Sequence, residues 1–137
     1  MSSATQQTIA ATTLRISLGV MYLAHSIVLK YFTFTLAGTT QFFESLGLPG
    51  FLAYVVFLAE AVGGILLLVG IQTRTVALAL IPILAGAVWV HAGNGWVFNA
   101  TGGGWEYPVF LIVASFVTAL LAPQSMRARA ATPVTAV

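Results

Sequence analysis

Ten side chains in this 137-residue sequence are acids, bases or imidazoles: Arg15, His25, Lys30, Glu44, Glu60, Arg74, His91, Glu106, Arg127 and Arg129. Glu60 stands out by its surroundings. It lies near the middle of GFLAYVVFLAEAVGGILLLVG, the twenty-one residues from Gly50 to Gly70, which hold no other charged side chain. That run is long enough to cross a bilayer as a helix. A charge at its centre costs about 2.5 to 3.5 kcal/mol on insertion scales, so the acid must face a polar interior, pair, or carry a proton. Such a group handles protons or orients a ligand; the bland alternative is a tether hydrogen-bonded to a histidine or tyrosine. His91 is the partner the residue types favour, because a buried acid and an imidazole together suit proton transfer. His25 shares a helix face with Tyr22. Glu106 stands in Gly102-Gly103-Gly104-Trp105-Glu106-Tyr107-Pro108 at a helix start, where free amides and the helix dipole favour a carboxylate.

Four apolar segments must position these groups, at about 12–32, 50–70, 75–92 and 107–122. The expected fold is all-α, a four-helix transmembrane bundle occupying 12–122, with a flexible 1–11 before it and a disordered tail, 123–137, after it. The first span has only fourteen residues between Arg15 and Lys30. Both basic side chains must therefore snorkel to opposite interfaces. Residues 31–49 are aromatic and threonine-rich, and predict a connector lying on the membrane surface. Pro82 predicts a kink in the third span. Arg15, Arg74, Arg127 and Arg129 fall on one side and Lys30 on the other, which predicts cytoplasmic termini.

Mean hydropathy is +0.99, 59% of residues are hydrophobic and only 6% charged, against about a quarter charged in ordinary soluble domains. The chain is thus one membrane domain whose first partner is the lipid bilayer. No basic stripe points to nucleic acid. The absence of cysteine excludes disulfides, thiolate-held metals and thiol chemistry by this chain, and no metal site is expected. His25 and His91 on facing helices also fit the axial ligands of a b-type haem, but the short helices leave little room for one. The N-terminus lacks a basic signal-peptide start, so the first helix is expected to be retained. Asn99-Ala100-Thr101 matches a glycosylation sequon, here read as chance.

Leu14-Arg15 through Gly19 to His25 and Lys30, then Glu60-Ala61-Val62-Gly63-Gly64 on to Gly70 and Thr73-Arg74, then His91, Gly93, Gly95 and Trp105-Glu106-Tyr107-Pro108, together resemble the DoxX family of small bacterial membrane proteins. His25-Ser26 replaces the family's frequent His-Gly, and the lysine that follows comes later than in the family pattern. The resemblance implies a four-helix bundle in the bacterial inner membrane and association with redox systems such as thiosulfate:quinone oxidoreductase or a complex that protects against oxidative and thiol stress. The expected role is a subunit or anchor of a quinone-linked oxidoreductase. Glu60 and His91 would serve catalysis, and His25, Trp105, Glu106 and Tyr107 would border a quinone entering from outside. A partner oxidoreductase subunit is expected, and a homo-oligomer is compatible with so small a chain. The alternatives are a non-enzymatic assembly or stress-response protein and, less well supported, a small-solute or proton carrier.

Overall fold

The structure, a computed structural model, describes residues 1–122. The expected tail and its Arg127 and Arg129 lie outside the described residues. All regular structure among the described residues is helical. Helix α1 (Ser3–Leu23) runs without a break into a ten-residue π-helix, Ala24–Thr33. Next come α2 (Leu36–Ser45), α3 (Phe51–Val69), α4 (Thr73–Ala79), α5 (Ile81–His91) with a 3₁₀ turn at Ala92–Asn94, and α6 (Glu106–Leu121). Three helical stretches are long and apolar enough to cross a membrane: Ser3–Thr33, Phe51–Val69 and Thr73–Asn94. Helix α6 is a shorter apolar rod packed against α1, α4 and α5.

Two boundaries differ from the sequence reading, and the third span breaks beside Pro82, where a kink is expected. Residues 3–11 form helix rather than a flexible end, because the Ser2 hydroxyl accepts from the Thr5 amide and caps the first turn. The surface connector contains α2, begun in the same way by Thr35, whose hydroxyl accepts from the Gly38 amide. The third span is divided at Leu80. Pro82 has no amide hydrogen to continue the ladder, and α5 restarts with the proline in its first turn, where no intrahelical donor is needed.

The outward faces carry the signature of a lipid solvent. On α3 the exposed residues Phe51, Tyr54, Val55, Leu58, Val62, Ile65 and Val69 follow helical spacing along one stripe, and Phe110, Val113, Phe116 and Leu120 do the same on α6. A water-soluble helix would put polar groups there. The opposite face of α3 buries Ala53, Glu60, Gly63, Gly64 and Leu67. Helices α1 and α3 touch through glycine: a Cβ on Gly19 would lie 2.9 Å from the Gly64 carbonyl oxygen, and one on Gly64 would lie 2.9 Å from Leu23 Cγ. Two backbones approach this closely only where small residues allow it. Leu18, Tyr22, Leu67, Leu80, Leu84 and Leu111 fill the centre from all the long helices.

Helix α3 ends at Gly70 in the left-handed conformation, φ +79°, and the amides of Gly70 and Ile71 turn back to the Leu66 carbonyl. The next carbonyls, Leu67 and Leu68, accept from Arg15 Nη1. A residue read from sequence as an interface anchor is thus also the cap that satisfies a helix C-terminus.

Candidate functional site

Glu60 has a partner, and it is Lys30. Lys30 Nζ donates to Glu60 Oε2 at 2.6 Å, with the acid side chain 7% and the lysine 17% exposed. The reason is the π-helix. Its bonding runs from i to i+5, as in the Phe34 amide to the Leu29 carbonyl at 2.7 Å and the Thr33 hydroxyl to the Val28 carbonyl at 2.8 Å. Residues five apart, His25 and Lys30, therefore stand one turn above the other. In an α-helix the same two would diverge by about 140°. Both reach the field of Glu60.

His25 Nδ1 donates to the Met21 carbonyl at 3.0 Å, which leaves Nε2 as the group able to exchange a proton. Its ring stacks against Tyr107, centroids 6.0 Å apart and planes inclined by 25°. Tyr107 in turn lines a cavity of about 480 Å³ with Trp96, Phe98, Glu106, Val109 and Phe110. Deeper, the Tyr22 hydroxyl and Ser115 Oγ are buried, near each other, and neither forms an ordinary hydrogen bond among the described residues. The His25–Tyr107 stack, the Glu60–Lys30 pair and the two buried hydroxyls thus sit on the first helical stretch, 3–33, and on α3 and α6, both of which pack against it.

His91 does not join this group; no hydrogen bond or ion pair connects it to Glu60 among the described residues. Its Nδ1 donates to the Gly102 carbonyl at 3.0 Å, and Asn94 Nδ2 donates to the carbonyls of Gly102 and Gly103 at 3.0 Å each. Glu106 Oε1 accepts from the Phe98 amide at 2.9 Å, and Trp96 meets Trp105 edge to face at 4.4 Å. These contacts fold residues 95–105 back on themselves. His91 and Glu106 hold the loop, and Trp105 packs within it. Of the six residues expected at the site, Glu60, His25 and Tyr107 come together, Glu106 and Tyr107 share the cavity, and His91 stands apart. Lys30 is the member the sequence reading left at the interface. The signal that could have drawn it to the site is its place after His25 in the family motif.

A helical chain with lipid-facing apolar stripes and a buried acid–base pair is a multi-pass membrane protein. It belongs to the DoxX family, whose profile matches residues 10–93. The "Putative oxidoreductase CatD" of Bacillus subtilis is 40% identical over 75 residues, covering 55% of this chain and 54% of that protein. The "Inner membrane protein YqjF" of Escherichia coli is 50% identical over 42 residues, covering 31% of this chain and 32% of that protein. The chain thus spans about half and about a third of the curated relatives it matches. No solved structure matches it. The family and the apolar helices make it a multi-pass protein of the bacterial inner membrane.

Proposed function

We propose that this protein is the membrane subunit or anchor of a quinone-linked oxidoreductase, with four crossings and cytoplasmic termini. The observations that carry the reading are the buried Lys30–Glu60 pair and, five residues before Lys30 on the same π-helix, His25 stacked on Tyr107, which lines an aromatic cavity. Helix α6 is the fourth crossing in this reading. The first turns of α1 and the last residues of α6 line one cavity, so the described chain starts and finishes at the same end of the helices, as an even number of crossings requires.

The aromatic cavity suits a quinone headgroup. Its volume of about 480 Å³ falls in the range of small-molecule sites, and aromatic walls match a flat ring. Tyr107 would donate to a headgroup oxygen, with Trp96, Phe98 and Phe110 enclosing the ring. When bound, the quinone supplies two-way traffic of electrons with protons, the electrons coming from the partner enzyme. This chain's part is to hold protons: His25 Nε2 would relay between Tyr107 and Glu60, and Lys30 holds Glu60 Oε2 in place. His91 keeps its place in the reading by holding the cavity's loop closed.

The test is quinone-dependent turnover of the native complex purified with its partner. Glu60→Gln and His25→Ala are each expected to lower turnover at least tenfold, while His91→Ala raises KM more than it lowers kcat. Full turnover in both Glu60→Gln and His25→Ala would leave the competing reading, a non-enzymatic assembly or stress-response protein in which Lys30–Glu60 only fastens helices. The name of the Bacillus relative supports redox work.

A further inference from the structure

We propose that the cavity at the Arg15 end of the helices binds a phosphate anion, presented there as the headgroup of an anionic phospholipid. This site is remote from the Lys30–Glu60 group and stands independently of the function proposed above. The cavity measures about 690 Å³. One wall is a single face of α1 carrying Gln7, Thr8, Thr12 and Arg15 at helical spacing, and the facing wall includes the apolar Val69 and Leu121. Polar and apolar walls meet as they must where a headgroup joins its acyl chains.

Charge decides what enters. The whole sequence contains three acids, Glu44, Glu60 and Glu106. Glu60 is bound to Lys30, Glu106 to the Phe98 amide, and the Glu44 carboxylate lies beside Gly50. All three are at or beyond the far half of the helices from Arg15. No side-chain carboxylate of this protein therefore serves as counter-ion to Arg15. Its Nη1 is committed to the Leu67 and Leu68 carbonyls, whereas Nε and Nη2 make no hydrogen bond among the described residues. A guanidinium with a donor edge to spare matches two phosphate oxygens at once. Gln7 and Thr12 add polar groups with no other side-chain partner among the described residues.

Depth agrees. Arg15 lies about 22 Å of helix from Lys30, and the turns from Ser3 to Leu14 extend about 18 Å further. Arg15 thus falls near the edge of the hydrocarbon, with Gln7 to Thr12 at headgroup level. Basic pockets between helices at this level are the expected seats of anionic lipid headgroups.

The full-length protein is reconstituted in nanodiscs of phosphatidylcholine with or without phosphatidylglycerol, and retained lipid is counted by native mass spectrometry. Phosphatidylglycerol is expected to be retained about tenfold over phosphatidylcholine, and to raise Tm. Arg15→Gln abolishes the preference. Because Arg15 also caps α3, the pair Gln7→Leu with Thr12→Leu, which leaves that cap in place, is measured beside it and is expected to weaken the preference several-fold. A third arm adds inorganic phosphate to phosphatidylcholine discs: a Tm rise equal to that with phosphatidylglycerol supports the anion site and identifies soluble phosphate as its source. Equal retention of the two lipids by the wild-type protein with no effect of phosphate overturns the proposal, as does an undiminished preference in the double variant or in a folded Arg15→Gln protein.

Discussion

Replacing Lys30 by Met leaves Glu60 at the same depth with no cation bonded to it. The loss in stability follows from the chemistry left behind. A carboxylate whose side chain is 7% exposed is not kept charged and unpaired in an apolar interior, so it takes up a proton. Holding a glutamate protonated at pH 7 costs about 3.7 kcal/mol from its reference value of about 4.3, at 1.36 kcal/mol per pH unit. That figure is the ceiling for Lys30→Met at pH 7, and it agrees with the 3 to 5 kcal/mol typical of breaking a buried pair by removing one partner. The sign is definite. The folded variant binds a proton that the unfolded chain has released, so its stability falls as pH rises, by up to about 1.4 kcal/mol per unit above the reference value, and at pH 5 the deficit shrinks to about 1 kcal/mol. In Lys30→Met with Glu60→Gln there is no charge to neutralise; most of the loss returns and the pH dependence disappears. Equilibrium unfolding in mixed micelles at pH 5, 6 and 7, followed by tryptophan fluorescence, measures all of this. A deficit equal at pH 5 and pH 7, or a double variant as weak as Lys30→Met, refutes the reasoning.

Other outcomes are expected from the same contacts. Gly19→Ala places a methyl against the Gly64 carbonyl at 2.9 Å and should destabilise by about 1 to 3 kcal/mol, whereas Gly86→Ala, which meets nothing within 4 Å, should be neutral or slightly stabilising; thermal unfolding separates them. Tyr22→Phe removes a buried hydroxyl that lacks a partner, so stability should hold or rise by up to about 1 kcal/mol, and a clear fall would mean that the hydroxyl is bonded in the membrane. His91→Ala releases the Gly102 carbonyl, a loss of about 1 kcal/mol, and limited proteolysis should then cut within residues 95–105 several-fold faster.

Composition and hydropathy made the membrane class legible because apolar length is a direct physical requirement of the bilayer. The close approach of another helix to the Gly63–Gly64 face of α3 was equally readable, since glycine beside a buried acid marks a crossing. Lys30 was hidden for a geometrical reason. Face assignments along the first span rest on 3.6 residues per turn, which turns Lys30 away from His25, and nothing in AHSIVLKYFT announces a change of helix type. The histidine expected beside Glu60 was His91, because residue types favour an acid–imidazole pair without saying which face each helix presents. The capped starts at Ser2 and Thr35 were visible as Ser and Thr in the right places, but they precede stretches of weak hydrophobic periodicity, which outweighed them.

The π-helix gives the first span a second use as a gear. Winding Ala24–Thr33 back toward α-helical pitch would turn Lys30 toward the offset of about 140° from His25 that five α-helical residues give, parting it from Glu60. A deletion of one residue between His25 and Lys30 is expected to do the opposite: it makes the two i and i+4, which share a face of an α-helix, so the ion pair should survive the loss of the π-helix.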